Sequence, residues 1–490
     1  MTTRSIAVVG GGFGGVSAAL MLHRAGYDNV TVFERAARIG GVWHHNTYPG
    51  AACDVPSHLY EFSFAPNPNW SRRYARQAEI QAYVEEVARR YGVLDRIHTN
   101  TEVVSASWDS SRSRWLITTN HGDHEAHILI TACGQLSVPK IPQFKGLDTF
   151  RGPAFHTAQW RHDVDLSGKR VAVIGTGCSA IQVVPAIQPY VESVTIYQRS
   201  PAWTIPRLDF AYPAYAQRIF ARFPTIQRLD RAAILGFMEL GALAMTRRHW
   251  LLPAFRAVAQ HQINKAIADP DLRRKVTPVD EFGCKRVMPT DTWYPTLTKP
   301  NVELIDDPIA EVTSSGIRTM DGTERAADVL VFATGFNAHG FVAPMEIMDE
   351  DGRTLGQAWA GKPRAYLGVS VPRFPNFFLL YGPNTGSGTG SVIYTIEAGM
   401  SHVISALEAL ERANGQRIEV HQEVADGFDA ELRSALAVTV WQTGCTSWYV
   451  DDDGHNPILW PWTSTAYRRR TERIDPTAYH IGVQQAAGTT

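Results

Sequence analysis

Cysteine is scarce and poorly placed for its usual tasks. The 490-residue chain has five, Cys53, Cys133, Cys178, Cys284 and Cys445, an odd number never spaced as CxxC. That spacing speaks against a disulfide framework, a zinc site and a dithiol redox pair, and the five are expected to be unpaired. Net charge is nearly absent too: 47 Lys+Arg against 48 Asp+Glu leave −1. The balance gives no electrostatic reason to expect nucleic acid or an anionic membrane as partner. Long hydrophobic runs are missing. The most apolar stretch, Ala232 to Met245, is 14 residues with Glu239 inside it, too short to span a bilayer, so no stable membrane insertion is expected. No HxH or HxxxH cluster appears among the 17 histidines, so no metal is expected. Met1 leads directly into a strand and a glycine loop, leaving no room for a signal peptide, and a cytoplasmic location is expected.

Apolar content is ample. Hydrophobic residues make up 44%, with 13 Trp, 17 Tyr and 20 Phe, enough for large buried cores and against disorder. The length suggests two to four domains.

One unit is used twice. Ile6-Ala-Val-Val-Gly10-Gly-Gly12-Phe-Gly-Gly15 leads into a helical stretch and then Val30-Thr-Val-Phe-Glu34. About 165 residues later, Val171-Ala-Val-Ile-Gly175-Thr-Gly177-Cys-Ser-Ala180 leads into another helical stretch and Val194-Thr-Ile-Tyr-Gln198-Arg199. Each reads as strand, tight glycine turn, helix, strand. His127 to Gly134 and Asp328 to Gly335 are matching buried-type strands ending in Ala-x-Gly. Val103 to Thr119 and Ile309 to Thr319 predict small antiparallel meanders. The fold class is therefore α/β, with two dinucleotide-binding, Rossmann-like domains and the second inserted in the first. Domain boundaries are read at 1–145, 146–330 and 331–490, with a helical insertion at about 205–280. That insertion reads equally as a lid or as a cover for apolar surface. A strand at Asn376 to Tyr381 and a helix from Ser391 to Arg412 follow, and Gln484 to Thr490 reads as a frayed end.

The two glycine loops end with opposite charge logic. Gly10, Gly12 and Gly15 let backbone approach a pyrophosphate at a helix N-terminus, and Glu34 then suits an unmodified ribose diol. In the second copy, Gly175, Gly177 and Ala180 lead to Gln198, followed by Arg199 and Ser200. A carboxylate there would repel a 2′-phosphate, whereas Arg199 grips one. The pair points to FAD at the first loop and NADPH at the second. Because no dithiol pair is spaced to take the electrons, oxygen is the natural acceptor.

Three further stretches carry a resemblance. Phe150-Arg-Gly152-Pro-Ala-Phe-His156-Thr-Ala-Gln-Trp160-Arg161 is similar to the fingerprint FxGxxxHxxxW(P/D) of type I Baeyer–Villiger monooxygenases. Gly40-Gly41-Val-Trp43, Tyr48-Pro49-Gly50 and Asp54 fit that family's second motif at every fixed position, and Ala333-Thr-Gly-Phe336 matches a third. Related heteroatom monooxygenases usually carry another aromatic where Trp160 stands. Arg161 departs from the pattern, and because the motif lies between the domains the departure concerns the hinge more than the chemistry.

The resemblance implies roles. Arg286 corresponds to an active-site arginine and Asp54 to the carboxylate that holds it. Lys285, with Arg199 and Ser200, corresponds to the 2′-phosphate contacts, and Trp448 to a contact of the nicotinamide nucleotide. Gly41, Trp43 and Asn384 count among the cofactor-binding positions, and His156 has a structural, domain-linking place. The implied reaction uses NADPH, FAD and O2: a flavin C4a-peroxide attacks a small-molecule ketone to give an ester or lactone, with thioether sulfoxidation as a side reaction. A guanidinium suits this chemistry, because it stays charged and stabilises developing negative charge on oxygen. A heteroatom monooxygenase and an NADPH oxidase releasing hydrogen peroxide stay open at this level. So do a surface basic pair for Lys285–Arg286, a helix N-cap for Asp54 and plain core for Trp448. The aromatic tail of Trp441, Trp448, Tyr449, Trp460 and Trp462 reads either as an apolar pocket with its lid or as core. Substrate size and oligomeric state are not encoded in any motif.

Overall fold

The computed structural model describes residues 4–482; the Gln484–Thr490 tail lies outside the described residues. Two five-stranded parallel sheets dominate. In the first, Ile6–Val9 lies at the centre, with Val30–Phe33 and Ile97–His98 on one side and Ile128–Thr131 and Phe377–Leu379 on the other. In the second, Arg170–Ile174 is central, flanked by Ser193–Tyr197 and Val302–Ile305 on one side and Val329–Phe332 and Ala154–His156 on the other. Four strands of each sheet follow the same order, but the edge strand beside the fourth differs: Phe377–Leu379 comes last in its unit, whereas Ala154–His156 comes first in its own. Ile6–Val9, Ile128–Thr131 and Val329–Phe332 are buried along their whole length, the pattern of parallel strands covered on both faces.

The edge strands show how the chain is threaded. Phe377–Leu379 returns to the first sheet after the second has been completed, so one unit interrupts the other. Ala154–His156, from the fingerprint stretch, is the edge strand of the second sheet, with His156 opposite Phe332. Val329–Phe332 crosses the boundary read at 330, so the chain leaves the second sheet after Phe332.

The meanders form as expected. Val103–Asp109, Arg114–Thr119 and Gly122–Ala126 are antiparallel and take Glu346–Met348 as a further parallel strand. Ile309–Thr313, Gly316–Thr319 and Glu324–Ala326 form the second. The insertion folds into helices Ala214–Arg222, Pro224–Thr246, Leu252–Ala266 and Pro270–Val276. Helix Val392–Arg412 buries most of its residues. No described helix is long and apolar enough to cross a membrane.

Candidate active site

Each glycine loop links a buried strand to a helix with nothing to spare. Gly10 has φ +107°, and a Cβ there would lie 2.6 Å from the Ala132 carbonyl oxygen. A Cβ on Gly15 would sit 1.8 Å from the Gly10 oxygen, so the Phe13–Arg24 helix packs against its own loop only without a side chain. The second loop repeats this at Gly175, also against a strand-end carbonyl, that of Ala333. By contrast, a Cβ on Gly177 would meet nothing within 4 Å. That open cradle over a helix N-terminus fits a pyrophosphate. Ala180 opens the Ala180–Ile187 helix beyond it.

Glu34 is buried at the end of its strand and accepts from the Gly11 backbone N–H at 2.5 Å and the Ala36 N–H at 2.7 Å. Two backbone donors therefore hold a carboxylate beside the first loop, where a ribose diol fits. Gly41, at φ +56°, lies against Gly12. Trp43 donates from its indole nitrogen to the Tyr60 hydroxyl at 2.9 Å. In the second loop, Gln198 donates to the Lys275 carbonyl at 2.8 Å. Arg199 is exposed beside it. Lys285 Nζ donates to Ser200 Oγ at 2.9 Å and pairs with Asp280 at 2.6 Å. The three residues read as phosphate contacts thus share one corner.

Arg286 and Asp54 meet. Arg286 Nε lies 3.0 Å and Nη2 2.5 Å from the same Asp54 oxygen, Oδ2. Both side chains are partly buried, at 29% and 24% exposure, so the basic pair is not a free surface feature, and no helix starts at Asp54 for it to cap. Burial works against the ionised Asp54 carboxyl, but Arg286 and then Arg207 outweigh it and hold the group below the usual carboxylate range. Asp54 in turn pushes the Arg286 guanidinium well above its ordinary value.

Several residues without a motif converge here. Arg207 donates to the Cys53 carbonyl at 2.7 Å, next to Asp54 in the chain. Burial raises the Tyr381 phenol to about 12 while the charge of Arg286 pulls it down. The same opposition acts on Tyr449 and on Cys178, which follows Gly177. Gln182, from the second loop's helix, accepts from the Tyr48 hydroxyl at 2.9 Å and donates to the Ala52 carbonyl at 3.0 Å. The Tyr-Pro-Gly stretch is thereby fastened to the other sheet's helix. Spacing carried no signal for any of these, since each lies far in sequence from what it touches.

Cys284 and Cys445 are bonded as a disulfide across 161 residues, against the expectation of unpaired cysteines; Cys53, Cys133 and Cys178 are free. The pair escapes any spacing rule because it joins two loops that meet only in the fold. One carries Lys285 and Arg286, the other Trp448. Trp448 is 40% exposed and so is not core. Trp441, Tyr449 and Trp460 are core, and Trp462 packs on Trp460 at 4.6 Å. The aromatic tail is thus mostly packing. Asn384 donates to the carbonyls of Asn456 and Leu459 at 2.7 and 3.1 Å and braces that tail.

The fingerprint is structural in every part that touches something. A Cβ on Gly152 would lie 2.2 Å from the Asp328 oxygen. Phe150 packs on the core that holds Phe332. Trp160 meets Phe155 edge-on at 5.1 Å. His156 is buried, accepts from the Ala158 N–H at 3.1 Å and faces Phe336; burial lowers its pKa. Arg161 is exposed and pairs with Asp163.

Known proteins are similar to this chain over most of its length. Residues 3–239 match the flavin-binding monooxygenase-like family. A Baeyer–Villiger monooxygenase of Streptomyces coelicolor is 42% identical over 97% of this chain and 92% of its own. One from Pseudomonas aeruginosa is 41% identical over 97% and 91%. The chain belongs to the Baeyer–Villiger monooxygenase family of flavin-binding monooxygenases. Its fold agrees with a steroid monooxygenase solved with NADP, at a TM-score of 0.88 and 32% identity over 99% of this chain and 100% of that one. A cyclohexanone monooxygenase from Rhodococcus sp. Phi1 bound to NADP+ gives 0.87 and 28% over 98% and 99%.

Proposed function

We infer that this member of the family is an FAD- and NADPH-dependent Baeyer–Villiger monooxygenase that places one oxygen atom of O2 beside a ketone carbonyl, giving an ester or lactone. The observation that carries the reading is the Arg286–Asp54 pair. In this reading 1–145 and the chain after Phe332 bind FAD, the part between binds NADPH, and the enzyme works in the cytoplasm.

The FAD-binding residues would be Gly10, Gly12, Gly15, Glu34, Gly41 and Trp43; Gly175, Gly177, Arg199, Ser200, Lys285 and Trp448 would hold NADPH. Together the bound cofactors supply the electrons that activate O2. Arg286 offers a donor that no working pH removes, aimed at negative charge developing on oxygen. Asp54 fixes the plane of that guanidinium and keeps it from being an unpaired buried charge. Lys285 and Arg199 neutralise a 2′-phosphate, with Ser200 as a hydroxyl donor.

The test is turnover of purified, flavin-loaded protein with NADPH, 18O2 and a panel of linear, cyclic and aromatic ketones and thioethers. Ester or lactone carrying one labelled oxygen is expected. Oxygenation of thioethers alone would make the chain a heteroatom oxygenase, and peroxide release with every compound would make it an oxidase.

A further inference from the structure

The helical insertion turns outward a face that the site does not use. Helix Pro224–Thr246 is fastened along its inner side. Gln227 donates to Glu61 at 3.0 Å, Asp230 meets His58 at 2.7 Å, and Glu239 accepts from the Ser464 N–H at 2.8 Å. Its orientation is therefore fixed. On the opposite side Ile226, Leu229, Phe237, Leu240 and Leu243 follow helical spacing and form one stripe, with small Ala233 and Gly236 between them. Leu229 is 65% and Phe237 61% exposed, and Trp250 beyond the helix end is 72% exposed. Monomeric soluble proteins rarely leave so continuous an apolar strip uncovered.

Basic residues frame the stripe. Arg218, Arg222 and Arg228 lie toward one end and Arg247 and Arg248 at the other; all five are exposed, and none has an ion-pair partner among the described residues. Between 210 and 268 the acids are Asp230 and Glu239, and both are engaged inward. The chain's near-zero charge thus hides a local cationic excess.

We propose that this face is a peripheral docking surface for an anionic lipid bilayer. An apolar stripe with exposed aromatics and arginines at both ends is the pattern of a helix lying in the plane of the headgroups. A second copy fits less well. An isologous antiparallel pairing of this helix would bring Arg222 and Arg228 against Arg247 and Arg248, with no acid on the face to receive them. The helix's inner side packs beside the loop of Arg286: Met245 lies against Gly283, three residues before it. Docking would therefore set the bilayer on the far side of a helix that packs beside the loop of Arg286, although the docking itself does not depend on the reaction assigned there.

Co-sedimentation of the flavin-loaded full chain with vesicles tests this. Pelleting is expected with an equal mixture of phosphatidylcholine and phosphatidylglycerol, much less with phosphatidylcholine alone, and salt should weaken it. Leu229→Glu with Phe237→Glu should lower vesicle affinity at least about tenfold, and so should Arg228→Glu with Arg247→Glu. Both pairs are exposed, so NADPH oxidation with a water-soluble ketone checks that the protein is intact. No pelleting at low salt, or pelleting unchanged in both variants, would overturn the proposal. So would a dimer in sedimentation velocity that Leu229→Glu dissociates while vesicles bind neither form, which would make the face an interface between copies.

Discussion

The guanidinium of Arg286 rests on a single carboxylate oxygen of Asp54, a residue 232 positions earlier in the chain. One oxygen receives two N–H groups, from Nε and Nη2, so Nη1 takes no part in the pair. The loop that bears Arg286 belongs to the second unit and Asp54 to the first, so the pair closes only when both are folded together.

Arg286→Ala should separate oxygen activation from oxygen insertion. NADPH consumption and peroxide release are expected to persist, while ester formation falls about a hundredfold or more, the usual cost of losing a donor to developing oxyanion charge. Asp54→Asn should do less damage, since the guanidinium survives without its anchor. The double variant should be no worse than Arg286→Ala, because the two act as one unit. Product analysis by mass beside peroxide assay decides it, and normal ester yield in Arg286→Ala would show that this arginine has another task.

Coenzyme choice should depend on the corner formed by Arg199, Ser200 and Lys285. If Arg199 and Lys285 hold a 2′-phosphate as proposed, replacing either with Ala should cost about 2 kcal/mol or ~30-fold in KM for NADPH. KM for NADH, which lacks that phosphate, should hardly move. Equal losses with both coenzymes would mean that the residues position a loop instead.

The fold was legible because its units announce themselves locally. The strand, glycine turn and helix around Gly10 and Gly175 each occupy a short window, and the central strands Ile6–Val9 and Arg170–Ile174 are largely apolar. The motif residues Asp54 and Arg286 were legible through resemblance, not through spacing. What stayed hidden was joined by the fold alone. Gln182 on Tyr48, Arg207 beside Cys53 and the Cys284–Cys445 bond each link segments more than a hundred residues apart. The exposed stripe around Leu229 was hidden for another reason: an amphipathic helix reads the same from sequence whether its apolar face is covered or bare.

The disulfide makes a countable prediction. Titration of the denatured, unreduced protein should find the three thiols of Cys53, Cys133 and Cys178, and reductant should expose Cys284 and Cys445 as well. The bond ties the loop of Arg286 to that of Trp448, so Cys445→Ser should loosen both. A higher fraction of NADPH spent on peroxide, with little change in flavin content, is the expected signature. Five reactive thiols before reduction would remove the tether from the account.

Stability should fall in acid through a histidine far from the chemistry. His402 is buried in the Val392–Arg412 helix, its Nε2 2.7 Å from the Tyr479 hydroxyl, which also meets Ser370 Oγ at 3.0 Å. Its Nδ1 has no partner among the described residues, so a second ring proton finds no acceptor. Burial lowers its pKa from 6.5 to about 4. Between those values the unfolded chain binds a proton that the folded one refuses, so stability is full above pH 6.5 and drains as pH falls toward 4. The span corresponds to about 3 kcal/mol. Buried His156 is shifted in the same direction and adds to the slope. Denaturant unfolding measured from pH 7 down to 4.5 should show the decline, and His402→Gln, which does not titrate, should flatten part of it. An unchanged slope in that variant would assign the acid sensitivity to other groups.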